Sequence, residues 1–72
     1  MKINNEYKYF VVCTESYMIM AGNEYKEDAI DVMDEMNDMY YSPLYTVYTA
    51  SHINNRLNIN PYDVSNWANP TK

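Results

Sequence analysis

The stretch Lys26-Glu27-Asp28-Ala29-Ile30-Asp31-Val32-Met33-Asp34-Glu35-Met36-Asn37-Asp38-Met39-Tyr40 governs how this chain is read. Stepping about 100° per residue from Ala29 gathers Ile30, Val32, Met33, Met36, Met39 and Tyr40 into one broad apolar stripe. The same steps put Glu27, Asp28, Asp31, Asp34, Glu35 and Asp38 on the opposite side. The spacing predicts an amphipathic helix over residues 26–40, ended by Tyr41, Ser42 and Pro43. Proline restricts the residue before it and cannot continue the hydrogen-bond ladder.

Moving toward the N-terminus, Gly22 and Asn23 separate this helix from two stretches of strand composition. Tyr7 to Thr14 is aromatic and β-branched without Gly or Pro, which predicts a strand. Its alternate faces, Tyr7, Tyr9, Val11, Cys13 and Lys8, Phe10, Val12, Thr14, are both largely apolar, as a central strand requires. Tyr17 to Ala21 follows after Glu15 and Ser16, close enough for an antiparallel hairpin. Beyond the helix, Leu44 to Ala50 alternates aromatic and branched residues and reads as a third strand. Ser51 to Leu57 reads as one or two helical turns capped by Ser51, with Ile53 and Leu57 inward. The segment 58–72, with Pro61, Pro70 and four Asn, is expected to be mostly irregular and pinned to the surface by Tyr62, Val64 and Trp67.

These elements specify an α+β fold: a three-stranded antiparallel sheet (ββαβ, order 2-1-3) with one amphipathic helix on one face, followed by an irregular C-terminal tail. Residues 1–72 form a single small domain. Its core is thin, because a chain this short buries only about 60% of its unfolded surface. One helix covers one face of the sheet, so the tail, a second copy, a target or water must meet the other. Tyr7, Tyr9, Tyr17, Tyr45 and Tyr48 are candidates to line that second face. Trp67 is either a plug that holds the tail or an interface anchor.

Charge is as unevenly placed as hydropathy. The 72 residues carry a net charge of −5, yet Glu24 to Asp38 alone holds seven acids and one base, a local charge of −6. Pairs such as Glu27 with Asp31 and Asp34 with Asp38 repel at helical spacing, each costing about 0.2–0.5 kcal/mol. No Lys stands at i+4 to relieve them. Such a face either merely keeps the domain in solution or meets a basic surface. The second reading makes Glu27, Asp28, Asp31, Asp34, Glu35 and Asp38 the partner-binding residues. Successive helical turns space these carboxylates about 5 Å apart, close to the run of phosphates along a nucleic-acid strand, so the face is a candidate nucleic-acid mimic. Direct nucleic-acid binding is what the charge opposes, because phosphate affinity comes chiefly from Lys and Arg.

Catalytic and metal chemistry find little support. Cys13 and His52 are the single members of their types. Zinc needs four ligands at close spacing, and Cys13, inside an apolar strand, reads as packing. With Gly22 alone there is no glycine-rich phosphate loop. No cofactor, no metal and no enzyme activity are therefore expected. The absence of an 18-residue apolar run predicts no membrane span. A first segment with no basic region followed by an apolar stretch points to the cytoplasm. Nine Tyr, ten Asn and one Gly complete the composition. Either an AT-rich coding sequence favours these residues, or tyrosine at this density serves a contact surface.

A short, acidic chain rich in Tyr and Asn, built as one small α+β unit without an active site, resembles the small accessory and inhibitor proteins encoded by bacteriophages. The resemblance lies in size and composition. It implies a stoichiometric binder that occupies a host defence or transcription protein, or sequesters a small signalling molecule, in the host cytoplasm. The expectation that leads is thus a non-catalytic protein-binding module using the acidic helix. The alternative is a homo-oligomeric structural protein or ligand sponge, assembled through a second interface of Tyr7, Tyr9, Tyr17, Tyr45, Tyr48 and Trp67.

Overall fold

A computed structural model describes residues 3–39 and 44–68. In chain order the elements are β1 (Tyr9–Cys13), β2 (Ile19–Asn23), α1 (Lys26–Met39), β3 (Tyr45–Thr49) and α2 (Ala50–Arg56). A 3-10 turn at Val64–Asn66 follows. The sheet is antiparallel in the order β2-β1-β3, as the alternation of strand and helix patterns requires. The expected stop of α1 at Tyr41, Ser42 and Pro43, and Tyr40 with it, lies outside the described residues.

β1 is central and apolar on both sides because both sides are covered: Phe10, Val11 and Val12 are completely buried. On one side α1 lies across the sheet, with Ala29 fully buried. On the other, α2 and the tail close over a cluster of Ile3, Phe10, Val12, Ile19, Ile53 and Trp67. A β-bulge builds this second side. β2 pairs Ala21 with Val11 but Ile19 with Val12, leaving Met20 as the extra residue. The insertion reverses the side-chain alternation, so Ile19 joins the cluster with Phe10 and Val12 instead of facing α1.

Gly22 and Asn23 do not end the second strand, as their types suggested; they pair with Phe10 and Tyr9. Gly22 is required there by close approach. A Cβ at this position would fall inside van der Waals contact with the Tyr7 ring, and 3.0 Å from Trp67 Cη2. The hairpin between β1 and β2 closes with Tyr17 at φ 58°, its N–H donating to the Cys13 carbonyl at 2.7 Å.

The cap of α2 also moves. Thr49, not Ser51, caps the helix: its Oγ1 accepts from the His52 backbone N–H at 3.1 Å, because α2 begins immediately at the end of β3. Ile53 is buried and Leu57 packs against the core cluster, as the helical spacing predicts. Asn58, at φ 57°, then turns the chain so that the Ile59 N–H bonds back to the Ile53 carbonyl at 3.3 Å. Asn tolerates this left-handed conformation better than most residues.

The tail is irregular but well tied. Trp67 Nε1–H donates to the Pro61 carbonyl at 2.8 Å, and the Tyr62 hydroxyl donates to the Tyr7 carbonyl at 2.7 Å. Asp63 accepts from the Ser65 backbone N–H at 3.0 Å and caps the 3-10 turn. Around Phe10 three rings pack edge-on: Tyr62 at 5.8 Å, Trp67 at 6.2 Å and Tyr7 at 6.4 Å between centroids. Trp67 is therefore the plug. Its neighbour Ala68 donates to the Ile19 carbonyl at 2.8 Å, and Trp67 itself forms a parallel bridge with Ile19, so the tail also occupies the outer edge of β2.

Candidate functional site: the acidic face of α1

The apolar stripe of α1 packs on the sheet and fixes where its carboxylates point. Glu27, Asp28, Asp31, Asp34, Glu35 and Asp38 are all exposed, as the helical spacing predicts. None of them forms an ion pair with a described residue. Glu27 and Asp28 fall in the first turn, where the helix dipole favours negative charge. The last turn has no basic residue, so Asp38 lies at the end where the dipole opposes it. Repulsion along this face is thus relieved by no ion pair among the described residues. The carboxylates fan outward from the helix, and among the described residues no group of three or more His, Cys, Asp or Glu could hold a metal ion.

Two residues at the ends of the helix add apolar contact surface that pattern reading missed. Met39, which the helical spacing places in the apolar stripe, is 64% exposed, and Tyr25, immediately before the helix, is equally so. On the helical wheel Met39 falls within about 20° of Asp28, at the margin of the stripe, and that margin was the available signal. Tyr25 precedes the periodic segment and gave none. An exposed aromatic and an exposed thioether bracketing a charged face are the side chains that anchor many interfaces.

The tyrosines expected on a shared second face do not share one. Strand alternation puts Tyr9 and Tyr45 on the α1 side of the sheet and Tyr48 on the tail side, with Tyr7 packed over Gly22 and Trp67. Tyr45 is buried, Trp67 is buried, and Tyr17 is at the hairpin tip. The face proposed for pairing copies is the one the tail covers. The physical reason is that Trp67, Tyr62 and Ile53 supply enough apolar area to fill it from within the chain.

Cys13 was expected inside an apolar strand and lies at the end of one. It is the last residue of β1 and partly exposed. The Ser16 hydroxyl, then the backbone N–H groups of Ser16 and Glu15, hydrogen-bond its sulfur. They hold the thiol below its ordinary range against the opposing effects of burial and the Glu15 charge. His52 is not its partner: Cys13 pairs with Tyr45 and Tyr9 with Thr49, so the two ends of β1 separate them by about 13 Å at about 3.3 Å per residue. His52 instead stacks on Tyr48, 4.3 Å between centroids.

Among the described residues no helix is long and apolar enough to cross a membrane. No protein-family model matches the chain, and no curated protein and no solved structure matches it.

Proposed function

We propose that this chain is a non-catalytic binding module whose acidic helix face docks onto a basic surface of a partner protein. The observation that carries the reading is the exposure of all six carboxylates of α1, none of them in an ion pair with a described residue. A solvated face needs no such segregation, and mixing signs would avoid the repulsion at every turn. Tyr25 and Met39 supply apolar anchors at either end of the charged strip, so contact combines long-range attraction with local burial. Carboxylates spaced about 5 Å apart along the helix make a nucleic-acid-handling protein the kind of partner that fits. With the size and composition of phage accessory proteins, this amounts to a stoichiometric inhibitor that occupies a host protein's basic groove in the host cytoplasm.

The test is a pull-down from bacterial lysate with the wild-type chain and with Asp31→Asn/Asp34→Asn/Asp38→Asn. The wild type should retain a basic protein that salt releases, because screening shortens the reach of exposed charges to about 3 Å at 1 M. The triple variant should lose it. Equal retention of the same protein by both would take α1 out of the mechanism.

A further inference from the structure

The two edges of the sheet are not alike. The β2 edge is occupied by Trp67 and Ala68. No described residue pairs with the outer edge of β3 as a strand, and the hydrogen-bond pattern says which of its groups face that way. Thr14 donates to the Leu44 carbonyl at 2.8 Å and Ala50 to the Lys8 carbonyl at 3.1 Å. With the register of Phe10 opposite Tyr48 and Val12 opposite Thr46, the even-numbered residues of β3 turn their backbone groups toward β1. Tyr45, Val47 and Thr49 therefore turn theirs outward. At Tyr45 the Asn37 side chain takes both: Oδ1 accepts from its N–H at 2.9 Å, and Nδ2 donates to its carbonyl at 3.2 Å. The Thr49 carbonyl faces into α2. What remains is the N–H and C=O of Val47 and the N–H of Thr49, with no hydrogen bond to a described residue.

Beside this edge, between α1 and β3, runs a groove of about 410 Å³ lined by Tyr9, Lys26, Ile30, Met33, Val47 and Thr49. Above it, at helical-neighbour spacing from Ile30, stand Glu27 and Asp34, both exposed, two carboxylates against the single cation of the lining, Lys26.

We propose that this edge takes an extended basic segment of the partner as a fourth strand, hydrogen-bonded to Val47 and Thr49. Its alternate side chains lie in the Ile30–Met33 groove, and its Lys or Arg residues meet Glu27 and Asp34. The inference rests on the docking reading above and specifies the partner's conformation. Unpaired backbone groups in strand register select an extended chain, and the acidic rim selects its charge. The same rim disfavours a second copy: pairing β3 with β3 would bring two helices of like charge side by side.

The probe is an acetylated peptide of alternating Lys and Val added to the full-length chain, followed by amide hydrogen exchange and chemical shifts. A second peptide of equal charge carries N-methyl groups on every backbone nitrogen, so neither of its edges can pair as a strand. With the first peptide, exchange at the Val47 and Thr49 amides should slow by about tenfold, and the methylated peptide should give no such protection. Val47→Pro, which removes an outward N–H together with one side chain of the groove and is tolerated on an edge, should abolish protection of Thr49.

Protection by both peptides, or shifts on α1 without protection of Val47 and Thr49, would overturn the fourth strand while leaving the acidic docking face standing. No shift on α1 with either peptide at low salt would overturn both. Protection of Val47 in the free chain, accompanied by a dimer in light scattering, would show that a second copy holds the edge and would sink the proposal.

Discussion

The two sides of the sheet differ in how they are filled and in how they are used. On the α1 side, a regular helix touches the sheet with one fully buried residue, Ala29, while Ile30, Val32, Met33 and Met36 are only partly covered. On the tail side, irregular chain delivers Trp67, Ile53 and Tyr62 onto Phe10 and Val12. The more ordered element buries fewer of its own side chains. An amphipathic helix stacked on a flat patch keeps its outer half in water whatever it covers, whereas a tail can wind until its large rings interlock. The division frees α1 for the acidic face: its outer surface carries repulsion that the core on the far side of β1 can absorb.

The contrast is broken most directly by Trp67→Ala. Removing a buried Trp costs about 3–5 kcal/mol, out of a total of about 4–11 kcal/mol for a domain this size. Chemical denaturation should find the variant mostly unfolded or close to it. Met33→Ala, its counterpart on the α1 side, removes a partly exposed side chain and should cost under about 2 kcal/mol by the same measurement. Equal losses would refute the asymmetry.

Gly22→Ala should lower stability by about 1–3 kcal/mol. A strand glycine exchanged for Ala would ordinarily gain about 0.5–1 kcal/mol, so the sign of the change reports whether Tyr7 and Trp67 rest on that backbone. Tyr62→Phe deletes the hydrogen bond to the Tyr7 carbonyl and keeps the ring against Phe10. It should cost about 1 kcal/mol, with the loss of amide protection concentrated in residues 60–68. On the other side, Asp31→Asn/Asp34→Asn/Asp38→Asn should stabilise the domain by about 0.2–0.5 kcal/mol for each repelling pair relieved. The gain should shrink in high salt, as urea midpoints at low and high ionic strength would record.

The sequence carried the elements well where periodicity is local. Alternation over Tyr7 to Thr14 and the 3.6-residue repeat from Lys26 each need only near neighbours, and both elements lie where those patterns put them, within two residues at their ends. All six carboxylates were legible for the same reason: the wheel that buries Ala29 exposes them. Gly22 misled because a glycine can mark the end of a strand or a place where something presses close, and only Tyr7 and Trp67 distinguish the two. Ser51 misled as a cap because Thr49 was assigned to a strand, and it is both the last residue of β3 and the cap of α2. Met39 sat at the margin of its stripe, and which way a marginal residue faces depends on how far the sheet extends beneath it.

What the chain determined by itself is the order of strand and helix and the gathering of negative charge on one face of α1, because both follow from side chains a turn or two apart. What only the tertiary structure decided is which side of β1 becomes the core and which sheet edge the tail covers. The bond that ties the tail down joins Tyr62 to Tyr7, 55 residues apart, and the bulge at Met20 redirects Ile19 to meet it. No local pattern encodes a contact at that separation, since its free energy exists only once the chain has closed the loop between its ends.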